Sequence, residues 1–174
     1  SGTLPPEGIR AAREFLESGR TVLFSLKDAA AARTLAALLN LGSLEVQEAD
    51  GGGGAYALLG QIDFKHPIFA PFADPRFSDF TKIHFWKHRV LDPAAIRNAR
   101  VIARFDKGGP ALLEVPVGKG ALFVLTSGVT RTGVVERLGL RLASLARDHP
   151  TAIMRLLLLA CTAVEIGTSS RPGS

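Results

Sequence analysis

Cysteine occurs once in these 174 residues, as Cys161, and methionine, tryptophan and tyrosine also occur once each. A lone cysteine excludes an intramolecular disulfide framework and any zinc or iron–sulfur site built from several cysteines. No block of lysine and arginine is present. The net charge is +5, with 15 basic against 13 acidic residues up to 128 and six arginines against three acids beyond it. No uninterrupted apolar run approaches the roughly 20 residues that a spanning helix needs. The richest run, Ile153–Ile166, is bounded by Arg155 and Glu165. No charged and apolar leader opens the chain, which begins Ser-Gly-Thr-Leu-Pro-Pro; that opening reads as an excised fragment with sequence expected upstream. Eighteen glycines and ten prolines follow no period, which excludes collagen-like repeats.

What is present is the composition of a globular α/β chain, 47% hydrophobic and 21% charged. Ile9, Ala12, Phe15 and Leu16 share a helical face behind Pro5 and Pro6, so a helix is predicted at about 6–18, stopped by Gly19. Residues 21–26 form a continuous apolar run of the kind found in buried strands. Asp28 can cap a second helix that Gly42 ends, and short strands are predicted at 44–48 and 56–59. Gly51–Gly54 between them read as a surface loop. No Lys-Ser or Lys-Thr follows to make them a phosphate cradle. Residues 100–105, 111–115 and 121–126, separated by Asp106–Pro110 and Gly118–Gly120, predict a β-meander over 100–126. Beyond Gly128 lysine and aromatic residues cease, which sets a boundary between a unit at 1–128 and a helical tail at 129–174.

Residues 61–91 hold seven of the twelve aromatic side chains. Pro67, Pro71 and Pro75 forbid a long helix there, so the rings must be presented by turns and short extended pieces. A strand over 81–90 would place Ile83, Phe85 and Lys87 on one face and His84, Trp86 and His88 on the other. Three readings of this segment are open. The rings can cover the core. They can dock a protein, since tryptophan and arginine are enriched at interface hot spots; the contact set would be Phe69, Phe72, Phe77, Phe80, Lys82, Phe85, Trp86, Lys87 and Arg89. The same mixture of rings and cations suits single-stranded nucleic acid. A metal-dependent hydrolase using Asp63, His66, His84 and His88 is a further alternative, although on a strand His84 and His88 would stand about 13 Å apart.

The segments DFKHPIFAPFADPRFSDFTKIHFWKHRVL (63–91) and VIARFDKGGPALLEVPVGKGALFVLTSG (101–128) resemble the class I glutamine amidotransferase-like domain of bacterial aerotolerance (Bat-type) membrane proteins that also carry a von Willebrand factor A domain. The resemblance covers about residues 4–128. It implies a flavodoxin-like, three-layer α/β sandwich, incomplete at its N-terminus. Active amidotransferases carry a nucleophilic cysteine on a strand-to-helix elbow, where a helix N-terminus lowers its pKa. Cys161 lies instead in the apolar run 156–164, so the resemblance implies the fold without glutaminase chemistry and without a cofactor. It also implies a protein partner and a membrane-associated bacterial parent, with this chain itself soluble or held to the membrane through 153–166.

Overall fold

Proline is admitted to the first turn of a helix because the amide it lacks would be unpaired there. Helix α1 accordingly runs Pro6–Glu17 in the computed structural model, which describes residues 3–50, 56–76, 78–81 and 83–128. Ile9, Ala12 and Leu16 turn one face of α1 to the core, and Gly19, at φ +88°, releases the chain into strand β1 (Thr21–Ser25). Asp28 caps α2 (Ala29–Leu38), its carboxylate accepting the Ala31 N–H at 2.8 Å. Gly42 does not end this helix. Asn40 takes the left-handed conformation, at φ 55°, two residues earlier.

The remaining strands are β2 (Gln47–Asp50), β3 (Leu59–Ile62), β4 (Lys87–Val90), β5 (Arg100–Phe105), β6 (Pro110–Val117) and β7 (Gly120–Leu125). The strands predicted at 44–48 and 56–59 each begin three residues later than expected. Tyr56 to Leu58 are diverted because Ala57 bridges Phe85, while Leu58 exchanges hydrogen bonds with Asp106. β5, β6 and β7 form the expected meander, and Gly108 and Gly118 supply positive φ in its two turns. Gly120 is needed for space, since a Cβ there would lie 2.1 Å from the Arg20 carbonyl oxygen.

The main sheet has the order β1-β7-β6-β5-β3. β1 and β7 are parallel, with Thr21 opposite Ala121 and Ser25 opposite Leu125; every other neighbouring pair is antiparallel. One face carries Val22, Phe24, Leu113, Val115, Leu122 and Val124, packed with Leu16, Leu35 and Leu38 of the two helices. Leu23, Phe123 and Glu114 share the opposite face through their register. The sequence therefore folds as a mixed α/β unit with a mainly sheet core and two helices. β2 and β4 make a separate two-stranded ladder.

These residues belong to the compact unit Ser1–Thr130. The predicted tail at 129–174, with the 153–166 segment and Cys161, lies outside the described residues, as do Gly51–Gly54, Phe77 and Lys82. Among the described residues no helix is long and apolar enough to cross a membrane.

Candidate functional site

The aromatic segment divides into an interior part and an exterior part. Pro67, Pro71 and Pro75 fold it back on itself, with Ala70–Phe72 forming one 3₁₀ turn. The rings of Phe64, Phe69 and Phe72 then converge on Phe80, with centroids 6.3, 6.1 and 5.6 Å from it. Phe85 packs edge-on to Phe105 at 5.2 Å. Phe69, Phe72, Phe80 and Phe85 are all buried. The expectation that these four offer a contact surface is corrected: rings closed over one another have no area left for a partner. They cover the core, one of the three readings left open above.

His66 ties this cluster to the sheet. The Ile68 N–H donates to Nδ1 at 3.3 Å, so Nε2 carries the ring proton and donates to Glu114 Oε2 at 3.1 Å. The ring stands edge-on to Phe123, 5.9 Å away, and the side chain is 4% exposed. Beside it, Arg100 lies opposite Glu114 in the β5–β6 register and donates to Asp63 at 2.6 Å. That hydrogen bond is the main reason the Asp63 carboxyl sits below its ordinary range. Glu114 was not singled out from sequence. Its signal is a charge inside the apolar run Ala111–Val115, on a strand whose neighbours are buried.

The exterior part is a small aromatic ridge. Ala57 pairs with Phe85 and Asp50 with Lys87, so Trp86 falls between the isolated bridge and the β2–β4 ladder. The chain bends at Trp86, and the expected alternation slips by one residue: Phe85 and His88 both turn inward, while Trp86 and Lys87 both face solvent. Trp86 is 57% exposed and Tyr56 is 38% exposed. Tyr56 stacks on His84 with centroids 3.8 Å apart and meets the Trp86 edge at 5.4 Å. Tyr56 escaped the sequence reading because only the fold brings it beside residues 84–86.

The cations of this region are largely spoken for. Glu48 receives Lys87 Nζ at 3.2 Å and Arg89 Nη1 at 2.5 Å, and the Lys87 hydrogen bond in particular lowers the Glu48 carboxyl below its usual value. Arg89 also donates to the Lys27 carbonyl, and its side chain is only 11% exposed. Arg89 is thus a tie between β4, β2 and the end of β1, not a member of the outer surface. Of the nine expected contact residues, Trp86 and Lys87 are exposed, and Phe77 and Lys82 lie outside the described residues.

The metal alternative is not assembled. Among the described residues no group of three His, Cys, Asp or Glu side chains is placed to hold an ion. Asp63 binds Arg100, His66 binds Glu114, and His84 stacks on Tyr56. His88 is buried against Phe105, and its Nδ1 has no hydrogen-bond partner among the described residues. Burial first, and then the charge of Lys107, pushes the His88 ring pKa down. A groove of about 510 Å³ along α2 is lined by alanines, Leu41, Leu44 and Val46, with Arg33 its one charged side chain, and offers no acid or base to a substrate.

No family model and no curated protein matches the chain. Among solved structures it is similar to cytoplasmic protein STM1381 of Salmonella typhimurium LT2, with TM-score 0.51 and 16% identity over 74% of this chain. The match covers 52% of that protein, so this chain spans about half its length. Cytoplasmic protein STM3548 of Salmonella typhimurium gives TM-score 0.48 and 15% identity over 71% of this chain and 50% of its own. The exo-β-1,4-mannosidase Op5Man5 of Opitutaceae bacterium strain TAV5 gives 0.44 and 15% over 82% of this chain and 21% of its own. The STM1381 likeness shows a shared fold of the mixed α/β kind.

Proposed function

We propose that this chain is a non-catalytic interaction module that docks a protein partner through the ridge formed by Tyr56, His84 and Trp86, with Lys87 at its margin. The observation that carries this reading is the exposure of Trp86 directly after the buried Phe85 and beside the partly exposed Tyr56. An indole held 57% in water gives up hydrophobic stabilisation that a partner would restore. The ridge is also pre-formed, since stacking on His84 limits the freedom of Tyr56 before any partner arrives. We further propose that the mixed α/β unit is part of a flavodoxin-like, class I glutamine amidotransferase-like sandwich belonging to a membrane-associated bacterial parent of the Bat-type, von Willebrand factor A-containing kind. The support is the motif resemblance over 63–91 and 101–128. In this reading the domain keeps the scaffold and has no glutaminase activity.

Nucleic-acid binding by the same surface is less favoured, because Lys87 and Arg89, on the strand that follows Trp86, are both already paired with Glu48. The deciding experiment compares proteins retained from a bacterial extract by the intact chain, by Trp86→Ala and by Arg10→Ala as a distant surface control. A partner held by the intact chain and the control but lost with Trp86→Ala supports docking at the ridge. Equal retention by all three variants refutes it. Affinity for single-stranded oligonucleotides that falls steeply with added salt would favour the nucleic-acid reading instead.

A further inference from the structure

β4 stands outside the main sheet and is fastened to it by few bonds. It pairs with β2 in the two-stranded ladder, and the chain just beyond β7 holds its backbone: the Arg89 N–H donates to the Thr126 carbonyl at 2.6 Å, and Ser127 Oγ donates to the Lys87 carbonyl at 3.0 Å. His88 lies between these two fastenings, opposite Ala49 of β2 and bridged to Ser127. It is 5% exposed, its ring lies 4.4 Å from that of Phe105, and its Nδ1 is buried without a hydrogen-bond partner among the described residues. A neutral imidazole tolerates such a place. An imidazolium carries an N–H on both ring nitrogens and a charge that burial strips of water. Its surroundings give little relief, since Phe105 of β5 and Ala49 of β2 are apolar and the Ser127 hydroxyl is spent on Lys87. Of the charged groups that act on it, Lys107 of the β5–β6 turn and its neighbour Arg89 oppose a positive ring, and Asp106 favours one.

We propose that His88 is a proton-triggered clasp: uptake of a proton by its buried ring releases β4 from the main sheet while the five-stranded sheet stays intact. Lifting β4 is the least costly way to bring a charged His88 to water, because it breaks the bonds at Thr126 and Ser127 and none of the pairing among β1, β7, β6, β5 and β3. Local openings of this kind occur where few bonds hold a segment to the rest. The trigger belongs to His88 and not to its neighbours. Lys87 and Arg89 hold the Glu48 carboxyl below its usual range, so the ion pairs across β2 and β4 persist while the histidine titrates. Trp86 stands two residues before His88, and the ridge it forms with Tyr56 and His84 loses its seat when β4 lifts. A partner held at that ridge is then released in acid, a consequence that rests on the docking function proposed above.

Hydrogen exchange of the full chain, read amide by amide from about pH 7.5 to about pH 5 and corrected for intrinsic rates, tests the clasp with no partner present. Protection of the Arg89 N–H is expected to be level above about pH 6.5 and to fall by up to about tenfold per pH unit below it, while the β6 amides keep theirs. In His88→Phe and His88→Gln, which remove the titrating ring nitrogen, Arg89 protection is expected to stay level. His84→Asn, which removes the other histidine beside Trp86, is expected to leave the fall in place. Level protection of the Arg89 N–H across the whole range overturns the proposal. So does a fall that persists without His88, or one that the β6 amides share. Failure to find a partner at the ridge leaves these exchange rates unmoved and bears only on docking.

Discussion

Phe80 and Trp86 stand six residues apart in the same proline-rich stretch, and the fold treats them oppositely. Phe80 is buried at the centre of three other phenylalanine rings, whereas Trp86 stands in solvent beside Tyr56 and His84. Composition cannot separate the two, because both are large apolar rings in a segment with no periodicity. The separation comes from backbone geometry. Phe64, Phe69 and Phe72 close over Phe80, whereas the chain bends at Trp86, between the Ala57–Phe85 bridge and the β2–β4 ladder, and its ring stands outward. Hydrophobicity in this segment thus serves stability at one end and recognition at the other.

Substitutions can break this contrast, and the largest effect is expected at its buried end. Phe80→Ala should lower unfolding free energy by about 3–5 kcal/mol in a urea titration, because three rings lose their common contact. A loss below about 1 kcal/mol would mean that the cluster is not core. His66→Ala comes next, at about 2 kcal/mol by the same titration, since it strands both the Ile68 N–H and the Glu114 carboxylate.

The third test is pH. Burial depresses the folded-state pKa of His88, so the unfolded chain binds a proton more readily. Stability is therefore expected to be unaffected above about pH 6.5 and to fall as pH drops below it, through the window down to the folded pKa. Asp63, whose carboxyl Arg100 lowers, and Asp74, which Arg76 lowers to about 2, push in the same direction below the ordinary Asp range. His88→Leu should remove the dependence near pH 6 while leaving the lower-pH loss in place, as read by melting temperature across a pH series. The smallest stability effect belongs to the exposed end. Trp86→Ala should shift unfolding by no more than about 0.5 kcal/mol, and a larger loss would place the indole in the core.

Much of the fold is legible locally. α1 follows from prolines in its first turn, α2 from the Asp28 cap, and the meander from alternating strands with glycine at the two positive-φ turns. The candidate site was only half legible, for a physical reason. Trp86 and Lys87 announce themselves, but Tyr56 joins them only through the Ala57–Phe85 bridge. Arg89 reads as an exposed cation until Glu48 and the Lys27 carbonyl are seen to hold it. His66 and His84, ligands only in the metal alternative, meet their partners Glu114 and Tyr56 from distant parts of the chain. Each error concerns a long-range partner, which spacing along a chain does not encode.

The parallel pairing of β1 with β7 has a consequence for how the molecule comes into being. The paired residues differ by one hundred in number, Thr21 with Ala121 and Ser25 with Leu125. During synthesis β1 and both helices emerge long before the strand they depend on, and at about 5–20 residues per second that interval lasts several seconds. Throughout it β1 is an apolar strand without its β7 partner, so a pause or stop before residue 121 leaves an aggregation-prone nascent chain. Among the described strands β7 is therefore the last to be made, and β1 with its flanking helices waits for the ribosome to finish it.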